Sequence, residues 1–153
     1  MIYVEAPHKV EVNKKSIFLA GGITGCPDWQ KKVVEKIKDL DIVIYNPRRA
    51  DFDISDTNAS KIQIEWEHNM LRKADVISFW FCKETIQPIT LYELGAHTVT
   101  SKPLIIGMDK GYERREDVEI QTKLERPDTE FVYSLKDLSN RIFKLFNEIL
   151  FIS

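Results

Sequence analysis

The chain has 153 residues, 43% of them hydrophobic and 30% charged, with a formal net charge of −2. That length and balance describe a single domain, residues 1–153, with a hydrophobic core of its own. The near-neutral charge gives no electrostatic case for a nucleic-acid partner, no apolar run approaches the ~18 residues of a membrane span, and no cationic, apolar leader opens the sequence.

A cytoplasmic enzyme or binding domain is therefore the expectation. Cys26 and Cys82 have neither metal-type nor disulfide-framework spacing. Cys82 ends an apolar run and reads as a core thiol, while Cys26 sits in a glycine-rich loop and reads as more exposed. No metal or cofactor is implied.

Residues 1–15 alternate weakly, through Ile2, Val4, Val10 and Val12, and read as an edge hairpin or extended arm. Ile17–Ala20 is a strand and Gly21–Gly25 a turn. Pro27 opens a helix carrying Trp29, Val33, Val34 and Ile37, and Ile42–Tyr45 is the next strand, stopped by Asn46–Pro47. A polar loop with Asp51, Asp53, Asp56 and Asn58 leads to a helix from about Ala59 to Ala74; the loop lacks the glycine and terminal glutamate of a calcium loop. Val76–Phe81 is a buried strand, and Pro88 stands at the start of the helix that follows, where its missing N–H costs little. Leu104–Gly107 is a fourth strand, residues 115–124 a helix, Glu130–Val132 a short fifth strand, and Leu135–Phe151 an amphipathic helix. Strands alternating with helices predict an α/β fold: a Rossmann-like, doubly wound, mainly parallel five-stranded sheet with helices on both faces.

In such sheets ligands bind beyond the carboxyl ends of the strands. Glu93 lies there, in the early turns of the helix after Val76–Phe81, where the helix field favours an ionised carboxylate. The plainer reading is a surface glutamate paired with His97 one turn on. The helix from Ala59 adds a second carboxylate. Projected at about 100° per residue, Ile62, Trp66, Met70, Ala74, Leu71 and Ile64 form an apolar arc, and Gln63 and Glu67 fall inside it. A buried carboxyl group is held toward its protonated form, which suits a general acid; a structural Gln63–Glu67 network fits the pattern equally well. Gly21 and Gly22 follow the first strand without a dinucleotide or phosphate-loop fingerprint, and admit either a tight turn or close approach of a ligand. Asn46, Arg48 and Arg49 follow the second strand and are suited to sugar hydroxyls or a phosphate; Arg114 and Arg115 form another basic pair. Two carboxylates at one sheet edge suit cleavage of a glycosidic bond, one as nucleophile and the other managing the leaving group's proton.

Ile17–Gly21, Gln63–Ile64–Glu65–Trp66–Glu67, Ala74–Asp75–Val76 and Leu91–Tyr92–Glu93–Leu94–Gly95 together resemble the nucleoside 2-deoxyribosyltransferase-like family, in its bacterial and phage branch. The likeness runs from about residue 16 to at least residue 107, and on through Arg114–Val118. It implies a flavodoxin-type sheet and ping-pong exchange of the base on a nucleoside. Glu93 would be the nucleophile, forming a glycosyl ester, and Glu67 the group that positions or protonates the departing base. Gly21, Gly22, Asn46, Arg48, Gln63 and Gln87 would bind substrate. Gln87 stands near where transferases hold a base-reading aspartate, and Asp75 matches a structural one. Phe18 replaces a tyrosine of many relatives whose hydroxyl contacts the nucleophile. Partners would be a nucleoside or nucleotide, an acceptor base, and further copies of the chain in a homo-oligomer. Two competing readings are hydrolysis of a nucleoside monophosphate, with Arg48, Arg49, Arg114 or Arg115 on the phosphate, and a nucleotide-binding module without turnover.

Overall fold

The computed structural model describes residues 1–50 and 55–151. In chain order it contains β1 (Ile2–Glu5), β2 (Ser16–Gly21), α1 (Trp29–Lys36), β3 (Val43–Asn46), α2 (Thr57–Lys73), β4 (Val76–Phe81), α3 (Pro88–Thr98), β5 (Leu104–Met108), α4 (Arg115–Glu125), β6 (Phe131–Val132) and α5 (Leu135–Phe151). The helix starts follow their caps: the Asp28 carboxylate accepts from Lys31 N at 3.1 Å and that of Asp56 from Asn58 N at 2.8 Å. Asp51 and Asp53 of the acidic loop lie outside the described residues.

All pairings are parallel, in the order β1-β3-β2-β4-β5-β6. The sheet thus has six strands where the sequence pattern predicts five. The extra one is β1, which forms no hairpin but runs parallel to β3, with Ile2 opposite Val43 and Glu5 opposite Asn46. Local alternation reveals an extended segment but not a partner some forty residues away, which is why the pattern suggests only an edge hairpin or an extended arm. Without β1, the remaining five strands have the flavodoxin order 2-1-3-4-5.

Continuous apolar strands are explained by cores on both faces of the sheet. Trp66, Met70 and Leu71 of α2, Leu94 of α3 and Val118 of α4 pack with Phe18, Tyr45, Ile77, Phe79 and Ile106 on one face. Trp29, Val33 and Ile37, together with Leu138, Ile142 and Phe146 of α5, pack with Ile17, Leu19, Ile44 and Trp80 on the other. The buried arc of α2 is narrower than its projection: Ile62 and Ile64, at the two edges, are 44% and 65% exposed. Asp75 ties the opposite end of the sheet, accepting from Ser16 N at 2.8 Å and Ser16 Oγ at 2.9 Å.

This strand order places the topological switch between β2 and β4. From β2 the chain crosses to β3 on one side, and from β4 to β5 on the other. The loops leaving the two strands diverge, and a crevice opens between them at their carboxyl ends.

Candidate functional site

A cleft of about 400 Å³ fills that crevice. Gly21, Gly22, Ile23 and Thr24 line it from the loop after β2, Pro47 from the end of β3, and the segment from Thr85 to Thr90 from the loop after β4 and the start of α3. Glu67 and Glu93 complete the lining from α2 and α3. A larger groove, about 560 Å³, separates α3 from α4, but neither carboxylate reaches it.

Both carboxylates are held toward protonation. Burial, then the negative charge of Glu67, push Glu93 from 4.5 up to about 8. Burial also raises Glu67, opposed by a hydrogen bond from Gln63. The sequence expectation for Glu93 was the reverse, because Pro88 begins α3 and the helix field favours an anion. Glu93 lies in the second turn, past the reach of that field, so desolvation wins. Among the described residues no hydrogen bond or ion pair holds the Glu93 carboxylate, and its expected partner His97 is 6% exposed. Phe18 is buried against Trp66, ring centroids 5.9 Å apart, and brings no hydroxyl to the cleft.

The other predicted residues divide between walls and supports. Gly21 and Gly22 are walls that tolerate no side chain. A Cβ on Gly21 would collide with the Trp80 carbonyl and the Trp29 ring, and one on Gly22 with Cys26 Sγ and the Gln87 amide. Gln87 lines the cleft, but its amide is already in use: Oε1 accepts from Gly22 N at 2.8 Å, and Nε2 donates to Cys82 O at 2.8 Å and Thr85 O at 3.0 Å. Gln63 sits behind Glu67, donating from Nε2 to Pro47 O at 2.8 Å and to Glu67 Oε1 at 2.7 Å. Asn46 is 3% exposed, donating to Tyr3 Oη at 2.7 Å and accepting from Arg48 N at 3.0 Å. The Arg48 guanidinium donates to the carbonyls of Ile23, Cys26 and Pro27 at 3.1–3.2 Å, to Gly22 O at 3.4 Å and to Gln30 Oε1 at 3.1 Å. Asn46, Arg48 and Gln63 therefore build the cleft from behind rather than line it.

The sulfurs of Cys26 and Cys82 are bonded, with Cα atoms 6.3 Å apart, and Cys26 is buried. This corrects the expectation of a core thiol and a more exposed one. The two lie 56 residues apart in sequence, and only the adjacency of β2 and β4 brings their loops together. Sequence reasoning also missed Thr24, Thr85 and Thr90, whose hydroxyls are the uncharged polar side chains of the lining besides Gln87. Their one sequence signal is position, just after a strand that ends at the switch point.

Residues 14–112 match the family described as "Nucleoside 2-deoxyribosyltransferase like". Among solved structures, a conserved protein from Enterococcus faecalis superposes with a TM-score of 0.64 at 18% identity, over 86% of this chain and 99% of that one. A 2-deoxyribosyltransferase from Bacillus psychrosaccharolyticus superposes with a TM-score of 0.63 at 16% identity, over 86% and 95% of the two chains. No curated protein sequence matches the chain. At these identities the structural likeness speaks for the fold.

Proposed function

The chain belongs to the nucleoside 2-deoxyribosyltransferase-like family, and from that premise we propose that it moves a (deoxy)ribosyl group between nucleobases through a glycosyl ester on Glu93. An oxygen of the ionised Glu93 carboxylate attacks the anomeric carbon as the bond to the base breaks. The electron pair of that bond goes to the base nitrogen, which takes a proton from Glu67. An incoming base then attacks the anomeric carbon and returns a proton to Glu67. The ester bond breaks, and its electron pair restores the Glu93 carboxylate. Gly21 and Gly22 bring backbone close to the substrate, and the threonines offer hydroxyls to the sugar. Asn46, Arg48, Gln63 and Gln87 hold these groups in place.

The observation that carries this reading is the pairing of Glu93 with Glu67 in one cleft, close enough for the charge of one to raise the pKa of the other. The lining also favours a neutral nucleoside over a nucleotide. It contains two carboxyl groups and, among the described residues, no Arg or Lys. Arg48 is committed to carbonyls, Arg114 lines the groove beyond α3, and Arg115 meets Lys110 O and Glu119. A phosphate in the cleft would meet the like charge of that carboxyl pair. The homo-oligomer implied by the resemblance has a fitting surface in the outer face of α3.

Deoxyinosine with adenine, and separately deoxynucleoside monophosphates, followed by chromatography, test the proposal. Base exchange supports it. Free base without exchange makes the protein a hydrolase, and preference for the monophosphate removes the nucleoside assignment. Binding without either product makes it a module without turnover. Glu93→Ala must abolish turnover, and a glycosyl adduct on Glu93 in quenched wild-type enzyme identifies the covalent route.

A further inference from the structure

Gln87 is the one described non-glycine residue with a positive φ, at φ 57 and ψ 62, immediately before Pro88 and the helix that carries Glu93. A side chain is costly in this left-handed conformation, which glycine adopts freely and asparagine tolerates. Pro88 compounds the restriction by disfavouring right-handed helical geometry in the residue before it. A strained backbone persists only where its surroundings over-determine it.

The surroundings do so through the side chain. Gln87 is 7% exposed and gives no cap hydrogen bond to α3. Its amide instead reaches both loops of the switch point, accepting from Gly22 N and donating to Cys82 O and Thr85 O. The same region is fastened by the Cys26–Cys82 bond and by Tyr112 Oη, which donates to Ile86 O at 2.6 Å. With Oε1 accepting from a buried N–H and Nε2 donating to two carbonyls, little of the amide remains to read a base.

We propose that Gln87 is a positioning residue: its amide locks the glycine loop after β2 to the start of α3, and so sets the Glu93 carboxylate against the cleft wall at Gly22. This rests on the proposed glycosyl transfer through Glu93. It replaces base reading at this residue with alignment of the nucleophile.

Two variants that suit the left-handed backbone separate the amide's role from mere folding. Gln87→Gly removes the lock and relieves the strain; Gln87→Asn keeps an amide one methylene too short. With circular dichroism confirming the fold, amide hydrogen exchange should accelerate at least tenfold at Gly22 in both variants, because its acceptor is gone or withdrawn. In turnover, kcat should fall at least tenfold in both, KM for the nucleoside should stay within about threefold, and the ratio of kcat/KM between purine and pyrimidine acceptors should not change. Unchanged exchange at Gly22, undiminished kcat, or a shifted acceptor ratio would each overturn the assignment. Should the wild type show no glycosyl transfer, the proposed function fails, and the exchange of Gly22 still decides whether the lock exists.

Discussion

Glu93 and Glu67 are two residues of one chemical type placed so that neither can ionise without affecting the other. Such a pair titrates as a unit, holding one proton near neutrality and losing it as Glu93, raised to about 8, ionises in the presence of Glu67. If Glu93 must be ionised while Glu67 keeps a proton for the base, kcat/KM follows a bell that descends near pH 8. Glu67→Gln removes the like charge and the acid together. Its residual rate, lower by about 10²–10⁴-fold, should rise with pH along a single limb that lies below 8. A bell that survives the substitution in the pH–rate profile would remove Glu67 from the proton inventory. Stability gives an independent reading. The folded protein keeps the Glu93 proton that an unfolded chain loses around pH 4.5, so this group costs increasing stability from there up to about pH 8. Glu93→Gln should therefore match the wild type near pH 4.5 and exceed it above pH 8, by up to about 5 kcal/mol, with Tm rising by roughly 2–4 °C for each kcal/mol. Calorimetry across that range checks the sign: a variant no more stable than wild type at pH 9 would mean the carboxylate is better solvated than its burial implies. Both carboxylates were legible in the sequence, one from its place after a strand and the other from its angle on a helix. Their supports were less so, because residue type tells what Arg48 or Gln87 can bind and not which partner is nearest.

At the scale of elements, what could be read was what is local. Strand runs, Pro88 at the start of α3 and the inward arc of α2 follow from periodicity and caps. What escaped was long-range: β1 pairing with β3, and the bond from Cys26 to Cys82. The loop after β2 shows the same limit. By residue type Arg48 suits a phosphate, yet its guanidinium serves carbonyls of Gly22, Ile23, Cys26 and Pro27, none of which belongs to a helix or strand. One nitrogen, Arg48 Nη2, thus gathers the carbonyls of this loop, while Nε donates to Gln30 Oε1. Lysine has no second donor nitrogen and cannot serve the carbonyls and the Gln30 amide together. Arg48→Lys should lower unfolding free energy by about 1–3 kcal/mol, as measured by urea titration, and leave the preference between nucleoside and nucleoside monophosphate unaltered. A specific loss of monophosphate binding would instead restore Arg48 as a phosphate ligand.

Over the whole molecule, the strand order that builds the cleft also decides which surfaces remain uncovered. β1 extends the sheet beside β3, on the side away from α3, so the α3–α4 side receives nothing further among the described residues. α3 runs from Pro88 to Thr98 with no Lys, Arg or Asp, its one carboxylate, Glu93, facing the cleft and its one imidazole, His97, buried. Its outer face is therefore without charge. Ile89, Tyr92 and Val99 are 66%, 78% and 71% exposed, and Leu124 of α4, across the groove, is 77% exposed. Isolated exposed apolar residues need no explanation, but a helix face without a single charge, in a chain that is 30% charged, is unusual for a solvated surface. A second copy of the same face brings no like charges together, and a two-fold contact would let each copy cover the other. Such a contact would also cover residues beside the cleft, since Ile89 belongs to both surfaces. Sedimentation equilibrium should give at least twice the 17.9 kDa of one chain. Tyr92→Glu places a charge at the centre of the face and should return the protein to a monomer with its secondary structure intact. If copies contribute to one another's clefts, transferase activity should fall with the mass; a monomeric wild type would show that the α3 face is left to solvent and that each cleft works alone.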